Sequence, residues 1–194
     1  MQAKFTNRIQ SIIDMALNGG VRSVPLRNPS QFKTPFTDES HRRRFFAACH
    51  RAFEKAQNQM ILLLEELRDE SDEDEKARIE LIIRKIADAI AVQMVQTQTH
   101  VMRRFCIHNT APDIDFETLK KAQAEANRLN AESRQTFALL ADLTTFIHIA
   151  DILHVDVRGT PKLSLIELKS GKVNDVLLSA LESYVPDPTA LAGC

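Results

Sequence analysis

Residues 144–170 hold the feature that most restricts what this chain can fold into. TTFIHIADILHVDV is β-branched and apolar, RGTPK is a turn, and LSLIELKS is apolar again. Two such runs around a Gly-Pro turn are the mark of a β-hairpin. A two-stranded hairpin is marginal in water by itself and needs cover. Almost everything before it reads as helix, so the cover comes from those helices or from a second chain.

The helical part divides cleanly. Residues 4–18 form a short amphipathic helix with Phe5, Ile9, Ile12, Ile13, Ala16 and Leu17 on one side, ended by Asn18-Gly19-Gly20. VRSVPLRNPSQFKTPF, with Pro25, Pro29 and Pro35, reads as a connector. Two long helices follow. The first spans about 38–69, with Phe45, Phe46, Cys49, Phe53, Met60, Leu63, Leu64 and Leu67 as its core positions. The second spans about 72–108, through Ile79, Ile82, Ile83, Ile86, Ile90, Met94, Val101 and Phe105. Between them RDESDEDEKA breaks the apolar pattern, and Ser71 with Asp74 three residues on is a capping-box signal. So short a break predicts an antiparallel helical hairpin. NTAPD is a turn, and Asp115 caps a third long helix at about 116–143. VNDVLLSALESY reads as a closing helix and VPDPTALAGC as a tail. The predicted class is α+β, with a helical region at 1–112 and a β-hairpin/α core at 113–194. TTFIHI, DILHVDV and LSLIELK are its expected strands.

Composition excludes several classes. The 194 residues are 44% hydrophobic and 26% charged with a net charge of −1, so nucleic-acid or membrane contact needs a local patch. The three cysteines, Cys49, Cys106 and Cys194, form no C-x-x-C, and a reduced, cytoplasmic setting is the simplest reading. No signal-peptide core is present, and each apolar run is shorter than the ~20 residues that cross a bilayer. The glycine-rich phosphate loops and the G-x-S-x-G elbow are absent.

Polar residues stand out inside the hairpin. If residues near 158 and 162 pair, Asp151 falls opposite Lys169 and Leu153 opposite Glu167. Asp151, Glu167 and Lys169 then share one face, since side chains alternate along a strand. The expectation depends on register. Carboxylates drawn together repel, and a divalent cation relieves them; Asp and Glu oxygens with waters suit Mg²⁺. Such an ion polarises a phosphate and acidifies a bound water. A lysine beside it positions that water or steadies developing charge.

An Asp ahead of one strand and E-x-K in the next, followed by a helix, resembles the PD-(D/E)XK nuclease superfamily, the restriction-endonuclease-like fold. The matching residues are Asp151 in HIADILHV and Glu167 with Lys169 in IELKSGK, within about 116–185. The resemblance implies a core of helix, three-stranded meander, helix and further strand. It implies Mg²⁺ or Mn²⁺ on Asp151 and Glu167, with Lys169 assisting the water. Some members add an acid from the first helix, for which Glu132 is the best-placed candidate and Glu125 the next. Ala150 stands where the family has proline, and Ala180 where a variant has glutamine. The usual later strand finds no place in the residues that follow, so the core is expected to be incomplete.

Pairing of the two long helices would set Arg42, Arg43 and Arg44 beside Arg103 and Arg104, a candidate contact for DNA phosphates. The plainer reading pairs them with acids such as Asp38 and Glu39, or leaves them in water. His100, His108, His148 and His154 lack metal-ligand spacing, and Cys49 and Cys106 read as core. Two functions remain open. One is a metal-dependent nuclease acting on DNA, less readily on RNA. The other is a non-enzymatic helical oligomerisation or regulatory module carrying a degenerate nuclease fold. Long amphipathic helices make a homodimer compatible with both.

Overall fold

The computed structural model describes residues 3–18, 39–95, 105, 113–147, 149–159 and 162–168. Their elements are helices α1 (Ala3–Ala16), α2 (Glu39–Leu67), α3 (Glu73–Met94) and α4 (Phe116–Glu132), and strands β1 (Thr136–Leu140), β2 (Ile152–Asp156) and β3 (Lys162–Ile166). A 3₁₀ turn at Ala141–Leu143 closes β1. The protein is α+β: helices with a small antiparallel sheet in the order β1-β2-β3.

Phe5, Ile9, Ile12 and Ala16 recur at helical spacing, are buried, and fasten α1 to α2. Lys4 and Arg8 reach Glu66 near the end of α2. The turn into α3 is polar. Its N-cap is Asp72, whose side chain accepts from the Glu75 N–H at 3.0 Å. The capping-box expectation at Ser71 is therefore off by one residue. Glu70 accounts for this, because its carboxylate accepts from the Ser71 and Asp72 N–H groups at 3.1 and 3.4 Å and keeps Ser71 in the turn. Glu73, Asp74 and Glu75 then fill the first turn, where the helix dipole favours anions. Asp115 caps α4 as the sequence predicts, accepting from the Glu117 N–H at 3.0 Å and the Thr118 hydroxyl at 2.7 Å.

The third helix stops at Glu132 rather than near 143. Thr136 turns the chain: its hydroxyl donates to the Ser133 and Leu129 carbonyls at 2.8 and 3.2 Å. TFALL, expected as helix, is β1, and the described residues of TTFIHI, expected as the first strand, are irregular. Every residue of β1 is buried, so it lacks the alternation that marks a half-exposed strand.

β1 pairs with β2 through Leu139↔Leu153, and β2 with β3 through Leu153↔Leu165. The hairpin register is thus shifted by two residues from the expected one. Asp156 lies at the turn end of β2. Its carboxylate accepts from the Arg158 N–H at 2.9 Å and grips the guanidinium, while the Val157 N–H goes to the Gln135 carbonyl at 3.0 Å. Pairing with β3 begins at Asp156↔Lys162. A shift of two keeps every side chain on its expected face.

One buried cluster contains Phe53, Met60 and Leu64 of α2, Ile79 and Ile83 of α3, Leu119 and Ala126 of α4, and Phe137, Leu139 and Leu153 of the sheet. It runs across the expected division at residue 112.

Candidate functional site

Three acids belong to one end of the sheet. Asp142 lies in the turn that closes β1, Asp151 opens β2, and Glu167 follows β3. Asp151 is held on three sides. Its N–H donates to the Ile166 carbonyl at 2.9 Å, its carbonyl accepts from the Ala141 N–H at 2.9 Å, and its carboxylate accepts from the Leu168 N–H. Ile152 also pairs with Ile166, so Asp151 and Ile152 together face one residue of β3, as in a β-bulge. Glu167, which is exposed, follows Ile166 just past this bulge. Lys169, expected opposite Asp151, lies outside the described residues.

Asp142 is half-buried. Burial raises its pKa first, and the nearby Asp151 charge raises it further; Arg84 pulls the other way. It carried no signal in the sequence, since Asp142 falls within the run read as the third long helix. The fold supplies it. Arg84 is buried on α3, and its guanidinium donates to the Asp142 and Thr144 carbonyls at 2.8 and 3.1 Å while pairing with Glu80 at 2.9 Å. One turn along, Asp88 accepts from the Thr145 N–H at 2.7 Å and its hydroxyl at 2.6 Å. A helix from the first half of the chain therefore positions the loop that brings Asp142 toward Asp151.

Other candidates lie elsewhere. Glu132 binds Arg128 at 2.7 Å, and its charge acts on His154 and Arg158, by the opposite end of β2. Glu125 is held by the same Arg128 at 2.7 Å. Neither joins Asp151. His154 sits mid-strand, its pKa lowered mainly by burial. Arg43 and Arg44 are exposed on α2. The Arg42 side chain, Arg103, Arg104, His100, His108 and His148 lie outside the described residues.

Asp142, Asp151 and Glu167 offer carboxylate oxygens, the donor type that hard divalent cations take. Mg²⁺ keeps several waters and takes one or two protein carboxylates together with substrate oxygens. Among the described residues no group of three or more His, Cys, Asp or Glu is placed to hold a metal ion by itself, and no helix is long and apolar enough to cross a membrane. No known protein family, curated protein or solved structure matches the chain.

Proposed function

We propose that this chain is a metal-dependent nuclease of the restriction-endonuclease-like type, hydrolysing phosphodiester bonds of DNA. The observation that carries the reading is the placement of three acids toward one end of the sheet, with Asp142 near enough to feel the Asp151 charge, Asp151 at the head of β2 and Glu167 just past β3. The order of one helix and a three-stranded antiparallel meander supports it. Asp151 and Glu167 hold the cation, and Asp142 takes the auxiliary place for which Glu132 was the first candidate. Mg²⁺ or Mn²⁺ supplies Lewis acidity and a more acidic bound water. Lys169, two residues past Glu167, would orient the attacking water; as that water's oxygen bonds to phosphorus it gives up a proton to solvent, one P–O ester bond breaks, and the leaving oxygen takes up a proton. Arg42, Arg43, Arg44, Arg103 and Arg104 are the candidate backbone contacts, which makes binding weaken as salt rises.

Calorimetric titration of Mg²⁺ and Mn²⁺ tests the proposal, run beside cleavage of plasmid and single-stranded DNA. Asp151→Asn is the informative variant, because its amide oxygen still accepts from the Leu168 N–H while the charge is gone. It should fold as the wild type does and bind metal at least about tenfold more weakly, as disrupted metal sites do. Glu167→Ala should abolish cleavage without unfolding the chain. Wild-type protein that takes up no metal and cuts no DNA, or full cleavage by Glu167→Ala, would sink the proposal.

A further inference from the structure

The two edges of the sheet differ. At β1 the outward groups are met by side chains: the Ala138 N–H by the Asn130 Oδ1 at 2.8 Å, and the Ala138 carbonyl and Leu140 N–H by the Gln57 carboxamide at 3.2 and 2.9 Å. Among the described residues β3 has no such cover. The Ala141 N–H reaches the Asp151 carbonyl, and the Val157 N–H reaches the Gln135 carbonyl. The odd-numbered residues of β2 therefore bond toward β1 and the even-numbered ones toward β3. In register, Lys162, Ser164 and Ile166 turn their backbone groups to β2, and Leu163 and Leu165 turn theirs outward. Among the described residues nothing pairs with those four groups. The two side chains share a face and are 39% and 38% exposed.

The strand reads Lys-Leu-Ser-Leu-Ile, with its leucines symmetric about Ser164. Two copies laid antiparallel, Ser164 against Ser164, set Leu163 of each against Leu165 of the other. Each Leu163–Leu165 pair exchanges two N–H···O=C bonds, so all the outward groups on both strands are used. The same pairs put leucine against leucine on one face. A foreign strand would have to bring an apolar pair at this spacing, whereas a second copy carries it already.

We infer that β3 is a self-pairing edge. Two copies of the chain join through it about a two-fold axis at Ser164, and their three-stranded sheets become one. The inference does not rest on the proposed nuclease activity. The seam is narrow for a protein interface, and its association is correspondingly weak.

Sedimentation equilibrium from micromolar protein to the solubility limit reads the association. Lysine at both Leu163 and Leu165 opposes like charges twice across the axis, and should weaken dimerisation by roughly 100-fold. Leu163→Glu with Leu165→Lys opposes unlike charges twice, and should recover most of it. A second arm uses the chain with Cys106→Ser and Cys194→Ser. Adding Ser164→Cys places the two thiols at a non-hydrogen-bonded pair with Cα atoms about 4.5 Å apart, within disulfide reach. Mild oxidation should link the chains there, and Lys162→Cys should stay unlinked.

A wild-type chain that stays monomeric over the whole series overturns the inference. So does a dimer that ignores the leucine charges and is not linked through position 164, since it would use another surface. Leu163 and Leu165 amides protected from exchange in a monomer also overturn it, because the edge would then belong to another part of the same chain.

Discussion

At the scale of residues, the buried polar side chains explain most of what the sequence hid. Gln57 lies in EKAQNQMILLL and looks like an ordinary helix glutamine, yet it is fully buried against β1. Replacing it by leucine leaves the Ala138 carbonyl and the Leu140 N–H without partners, at about 1–3 kcal/mol each. Gln57→Leu should therefore lower the urea midpoint, by more than a leucine at exposed Gln10 changes it. His50 is the second case. It hydrogen-bonds the Thr136 backbone and packs 5.8 Å from the Phe137 ring, and burial draws its pKa from 6.5 down to about 4. Between those values the unfolded chain takes up the proton more readily. Its contribution is full above about pH 6.5 and is lost as pH falls toward 4, to a total on the order of 3 kcal/mol. Denaturant titrations at pH 7.5 and 4.5 should show this slope, and His50→Phe should flatten part of it. His154 shifts in the same direction and sustains the rest.

At the scale of elements, legibility followed burial pattern. The helices α1, α2 and the first part of α3 were readable because each keeps one apolar stripe and one wet face. The Asp115 cap was readable because an Asp before Phe-Glu-Thr has few other uses. β1 was not, since a strand buried on both faces beside a sealed edge offers an unbroken apolar run, and Ala and Leu make that run look helical. The hairpin was readable as a hairpin. Its register was not, because the sequence marks where the turn falls and not at which residue pairing resumes, here Asp156↔Lys162. The candidate site was half visible: Asp151 and Glu167 had a strand context, whereas Asp142 depends on Arg84 of a distant helix. Arg84→Met should strip the donor from the Asp142 and Thr144 carbonyls and destabilise the fold by about 2–4 kcal/mol, read by chemical denaturation. If the cation site is as proposed, metal affinity should fall in the same variant although no ligand has been removed.

At the scale of the molecule, the helical region and the sheet share one core, and the sheet leans on both α2 and α3 for its polar contacts as well as its packing. The long helices are therefore cover and scaffold for the hairpin that first demanded them. Gln57 carries a consequence for assembly as well as for stability. A strand sheet with two open edges can add copies without end, and a sheet with none cannot add any. By occupying the β1 edge with Asn130, this amide leaves the sheet a valence of one, so that if β3 pairs as inferred, the pairing exhausts it and growth stops at two.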